Sequence, residues 1–65
     1  MNEPLSQNDR VQLKSSTDPD AVPEGTKGIV QNSGVCVEGQ MIWGVRWDNG
    51  STLNLIEGED EWYLL

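Results

Sequence analysis

The stretch from Trp43 to Leu55 constrains this chain more than any other. Trp43, Val45 and Trp47 alternate with Gly44 and Arg46, and after a break Leu53 and Leu55 alternate with Thr52 and Asn54. A period of two places the large apolar side chains on one face of an extended strand. The break between the two runs is Asp48-Asn49-Gly50-Ser51. Asn and Gly tolerate the positive φ of tight hairpin turns, so the stretch reads as a β-hairpin with Trp43, Trp47, Leu53 and Leu55 inward.

The rest of the chain supplies short strands of the same kind. Arg10–Lys14 alternates with Val11 and Leu13 inward, Gly28–Gln31 and Val35–Glu38 are strand-like, and Glu61–Leu65 closes the chain. Gly28–Glu38 reads as either one bent strand or two short ones. Ser15–Lys27 reads as a long polar loop, because Asp18 and Val22 precede prolines and residues before proline are driven to extended geometry. Residues 56–60 read as a polar turn or a single 3₁₀ turn. No stretch carries an amphipathic helical repeat. The expected architecture is all-β: a small five-stranded SH3-like (KOW-like) barrel over residues 10–65, with residues 1–9 as a disordered N-terminal arm. Its expected core is Val11, Leu13, Val30, Val37, Trp43, Val45, Trp47, Leu53, Leu55, Trp62 and Leu64.

Several functions are excluded by what the chain lacks. It has 65 residues and no histidine, which removes the commonest general base and metal ligand. A single cysteine, Cys36, forms no intrachain disulfide and reads as a small buried hydrophobe. Carboxylates are plentiful, but acid–base work on a substrate needs a shaped cleft, and a filled barrel of this size offers none. No enzyme activity, metal or cofactor is expected. Asp18-Pro19-Asp20 with Glu24 lacks the ligand spacing and turn glycine of a calcium loop. No apolar run is long enough to span a membrane and the N-terminal residues lack a signal-peptide pattern, so the expected compartment is the cytoplasm.

Charge points elsewhere. The net charge is −7 and it is uneven: residues 1–32 carry five acids and three bases, residues 33–65 six acids and one base, Arg46. Such a surface repels phosphate backbones and suits a basic partner; a merely solubilising charge is the bland alternative. The acids nominated for partner binding are Asp18, Asp20 and Glu24 in the first loop and Glu57, Glu59, Asp60 and Glu61 before the last strand. Tyr63, opposite in phase to Trp62, is nominated as an exposed aromatic beside them.

Three runs resemble a known family: Asp9-Arg10-Val11-x-Leu13, then Pro23-x-Gly25-Thr26-x-Gly28-x-Val30, then Val45-x-Trp47-Asp48-Asn49-Gly50-Ser51-x-Leu53-x-Leu55-Ile56-x-Gly58-x-Asp60. In order and spacing they resemble a small bacterial and phage family known only as a domain of unknown function. The glycine-valine run also resembles, more weakly, the opening of KOW-type barrels. The resemblance implies an SH3-like barrel and occurrence on mobile elements, and it implies no site residues. Segment 32–42 is longer than the family pattern, and Glu57 stands where proline is commoner.

The functional expectation is a non-enzymatic acidic module of phage or mobile-element type. It docks on a basic host protein surface, including that of a nucleic-acid-binding protein that it would inhibit as an anti-defence factor. One alternative is a KOW-like nucleic-acid binder, for which only Arg10, Lys14, Lys27 and Arg46 are available. The other is a small self-associating subunit meeting through Ile42 and Leu65. The expected state is a monomer or weak homo-oligomer, with no membrane contact and no direct nucleic-acid binding.

Overall fold

The computed structural model describes residues 4–32 and 34–65. It is all-β, with six strands: β1 (Arg10–Ser16), β2 (Lys27–Val30), β3 (Val35–Val37), β4 (Gln40–Trp47), β5 (Asn54–Ile56) and β6 (Asp60–Leu64). Every ladder between them is antiparallel. The order is β3-β4-β2-β1-β6, with β5 also paired to β4. The sheet does not close: between β5 and β6 there is no ladder, only an isolated bridge from Glu57 to Asp60. Five strands in a closed barrel were expected; the sixth arises because Gly28–Glu38 is two strands.

β4 organises this arrangement, as its alternation suggested. The amide of Gln31 donates to the carbonyl of Gly44, and the amide of Glu57 donates to that of Met41. Successive residues of a strand point their backbone groups to opposite edges, so β2 and β3 share one edge of β4 and β5 takes the other. Along the shared edge Val30 faces Val45 and Val35 faces Ile42. The register of pairing with β4 therefore shifts by two residues between β2 and β3.

Two glycines are required by this packing. A Cβ on Gly28 would lie 2.8 Å from a methyl of Val45 and 2.9 Å from the carbonyl oxygen of Arg46, so β2 reaches β4 only with glycine there. Gly50 has φ +90° and ends the tight loop after β4. Its amide donates to the carbonyl of Trp47, and the Trp47 amide donates to that of Ser51. The indole N–H of Trp47 donates to the carbonyl of Leu53 at 2.9 Å, tying the far side of the loop to the core.

The buried core is Leu5, Val11, Leu13, Val22, Val30, Trp43, Val45, Trp47, Leu55 and Trp62. Trp43 and Trp62 meet edge to face with centroids 5.4 Å apart, the arrangement aromatic quadrupoles prefer. Three expected core members are exposed instead. Val37 faces outward on β3, Leu64 shares a face with Val11 but is left uncovered near the end of β6, and Leu53 lies in the segment before β5. Two residues not expected there are buried, Leu5 and Val22.

Leu5 also corrects the disordered arm. Its side chain is 7% exposed, the amide of Asn8 donates to the carbonyl of Val30, and the amide of Val30 donates to that of Asp9. The described part of the arm, residues 4–9, is therefore packed and bonded to β2; residues 1–3 of that segment lie outside the described residues. Cys36 is exposed, not buried as expected. The turn or bulge expected at Asn32-Ser33-Gly34 falls partly on Ser33, which also lies outside them. Residues 57–59 form a turn and no 3₁₀ helix. Among the described residues no helix is long and apolar enough to cross a membrane.

Candidate docking surface

The first loop is drawn against the turn before β6 by its own polar residues. The amide of Thr17 donates to the carbonyl of Glu59 at 3.0 Å, and the Ser16 hydroxyl donates to the Asp60 carboxylate. Asp18 then starts a turn: its amide donates to the Ser16 hydroxyl oxygen, and its carboxylate accepts from the amide of Asp20 at 2.9 Å. This is the local bonding by which Ser and Asp favour turns over regular strands. At the loop's end the Gly25 amide donates to the carbonyl of Leu13, and the Leu13 amide donates to that of Thr26. The loop is thereby folded back along β1, which carries Val22 into the core.

Between loop and turn lies an apolar pit. Its lining includes Leu13, Ala21, Val22, Leu53, Leu55 and Ile56, and its rim carries Asp18, Asn54 and Glu59. Its free volume of about 30 Å³ admits a water-sized group or the end of one side chain, and no cofactor. Beside it Ser15–Thr17 and Gly58–Glu61 border a wider polar depression.

The nominated residues fall into four groups. Asp18 and Glu59 both line the pit although they come from different loops. Asp60 is the one buried charged residue among those described, 7% exposed, and its second carboxylate oxygen accepts from the Ile56 amide at 2.8 Å. Asp60 also lines the pit, but both its oxygens accept hydrogen bonds from within the fold. Asp20, Glu24 and Glu57 are exposed but do not line the pit. Glu61 is 3.6 Å from the Lys14 ammonium, which also stands 5.8 Å from the centre of the Tyr63 ring. Tyr63 is exposed as its phase required, and its face is shared with that cation. The sequence reading missed Ala21, Val22 and Leu53 as the floor and wall of the pit. Val22, a lone large apolar residue in a polar loop, is the one signal that pointed to it.

The bases are largely occupied. Arg10 donates two hydrogen bonds to Asp48, at 2.8 and 2.9 Å, in a fork-to-fork pair. Lys27 lies close enough to act on Asp48 as well. Among the described residues no ion pair reaches Asp18, Asp20, Glu24, Glu57 or Glu59. No group of three or more ligating residues that could hold a metal occurs among them.

The Arg10 hydrogen bonds hold the Asp48 carboxyl below the usual carboxylate range, with Coulomb attraction to Arg10 and Lys27 acting the same way. A depressed folded-state value stabilises the fold above the unfolded pKa, and that stabilisation fades as pH falls through the folded one. An NMR titration of the Asp48 side-chain carbon is expected to show a midpoint below that of an ordinary aspartate, and Arg10→Gln is expected to return it toward the ordinary value. An unshifted midpoint in the parent protein would remove the pair as an organised contact.

A family model described as Domain of unknown function (DUF4314) matches residues 4–65 of this chain. No curated protein and no solved structure matches it.

Proposed function

The chain belongs to the DUF4314 family, and from the site above we propose that it is a non-enzymatic docking module. It presents unpaired carboxylates to a basic surface of another protein. The observation that carries the reading is that Asp18 and Glu59 both line one apolar pit with no cation paired to either. A lysine or arginine fits such a feature: its methylene stem covers apolar surface while its charged head reaches the rim. Asp20, Glu24 and Glu57 extend the negative field beyond the pit and steer the encounter.

The strand order β5-β4-β2-β1-β6 fits an SH3-like barrel. In this reading the pit between first loop and last turn is where such a scaffold receives a peptide or protein segment. We propose the phage or mobile-element accessory role in the same terms: an acidic module occupying the basic surface a host protein uses for nucleic acid. A direct nucleic-acid role is less well supported. Arg10 and Lys14 are engaged by Asp48 and Glu61, which leaves too little positive surface for more than weak, salt-labile phosphate contact.

The test is a pull-down from host lysate with the tagged full chain beside an Asp18→Lys/Glu59→Lys variant, at low and moderate salt. One partner with a basic surface is expected, its recovery falling at least about tenfold with the variant and falling with added salt. Equal recovery by both proteins would overturn the assignment of the site.

A further inference from the structure

We propose that the free edge of β3 is where two copies of this chain associate, antiparallel about a two-fold axis centred on Cys36. The inference does not rest on the acidic docking reading.

Three observations meet at this edge. The first is that it is unpaired: among the described residues β3 pairs only with β4. Glu38 and Gly39, with φ +51° and +81°, form a two-residue turn between them, and Val37 faces Gln40 across it. In such a hairpin the residues flanking the turn exchange both hydrogen bonds, so Val37 and Val35 bond inward to β4. The intervening Cys36 turns its N–H and C=O outward. The Glu57 amide on the Met41 carbonyl, on the opposite edge of β4, confirms this phase.

The second is that the outer face here is apolar. Trp43 and Leu55 point into the core, so their neighbours Ile42 and Ile56 point out, and Val35 stands in line with them across three strands. Val35 is 58% exposed and Val37 47%. An exposed apolar edge is what natural sheets ordinarily avoid, and here only the shortness of β3 limits it.

The third is charge. Between Asn32 and Val45 the only charged residue is Glu38, in a chain of net charge −7. A second copy therefore meets least of its own charge here. Pairing Cys36 with its equivalent sets Val35 beside Val37 of the other copy and Glu38 opposite Gly34, so no carboxylate faces a carboxylate. Val35 and Val37 of the two copies then form one apolar strip along the seam, with Ile42 and Ile56 beyond each Val35 and Gln40 beyond each Val37. A basic foreign segment would find no acid along this edge except Glu38. With three residues on each side the contact is far below the roughly 1,600 Å² of a stable interface, so the dimer is weak, with Kd on the order of 100 μM or above.

The test is sedimentation of the full chain from about 10 μM to about 1 mM, the range that spans such a constant. The expected result is a mass rising toward that of a dimer, further at high salt than at low, because screening relieves the repulsion between copies. Mild oxidation is expected to link the dimer through Cys36, since paired Cα atoms about 5.5 Å apart lie within disulfide reach. Cys36→Ser should lose the link and keep the association. Val35→Lys should lower both dimer and link at least about tenfold with an unchanged circular dichroism spectrum. Cys36→Pro, which deletes the outward N–H and no bond to β4, should do the same to the association. A monomer at every concentration would overturn the proposal. So would a dimer, or a rate of linking, that Val35→Lys and Cys36→Pro leave intact. Because this association strengthens with salt while binding to a basic partner weakens, failure of one reading is distinguishable from failure of the other.

Discussion

Trp47→Ala is expected to cost about 4 kcal/mol, a large fraction of the stability a domain of this size has. Its indole is buried at the centre of the core, beside Val45 and under the close approach of Gly28. Truncating a buried tryptophan typically removes roughly 3–5 kcal/mol through lost transfer energy and the cavity left behind. Domains are stable by roughly 0.05–0.15 kcal/mol per residue, which for this length is about 3–10 kcal/mol in total. The loss is compounded because the indole N–H is the donor that holds the Leu53 carbonyl, and with it the segment between the tight loop and β5. Trp47→Phe separates the two contributions. It keeps most of the apolar volume and deletes the donor, and about 1–2 kcal/mol is expected. Urea unfolding followed by circular dichroism measures both. If phenylalanine costs as much as alanine, the hydrogen bond outweighs the packing; if alanine costs below about 1 kcal/mol, Trp47 is not a core residue.

The second large effect is at Asp60. Asp60→Ala is expected to cost about 3 kcal/mol, because it orphans the Ile56 amide and the Ser16 hydroxyl in a part-buried setting. Those two contacts join β1, the end of β5 and the start of β6 through one carboxylate. They stand in for a ladder at the place where the sheet stays open. Glu59→Ala, one residue earlier and exposed, is expected to stay within about 0.5 kcal/mol, as surface substitutions do. The pair of measurements tells a carboxylate that holds the fold from one that is free to meet a partner. Similar costs for both would mean that the turn, not the Asp60 side chain, carries the stability.

Adjacent acids with opposite roles mark where the sequence stops being legible. Glu57, Glu59, Asp60 and Glu61 read as one run, because nothing local says which of them the last strand turns inward. The hairpin from Trp43 was legible, since every second residue is large and apolar on one face only. Val35-Cys36-Val37 was not: apolar residues on both faces give the alternation no phase, so Val37 was placed inward and Cys36 was taken as buried. Leu5 and Val22 stand alone among polar neighbours. A single apolar residue without a period signals burial only once the loop that carries it is seen to fold back. Asp18 and Glu59 were each nominated, but that they line one pit follows from contacts such as the backbone hydrogen bond from Thr17 to Glu59, which links two distant segments.

The pairing of β1 with β6 has a kinetic side. Val11 lies opposite Leu64 and Leu13 opposite Trp62, so the two strands that meet come from opposite ends of the sequence. The amide of Leu65 even donates to the carbonyl of Arg10. All the strands between β1 and β6 must be enclosed in a loop before that ladder returns any free energy, and loop-closure entropy is spent first. The β2–β4 and β3–β4–β5 units, which are local, can form early. The chain ends then zip together last, and the same ends, pairing weakly until they do, set how often the finished sheet opens.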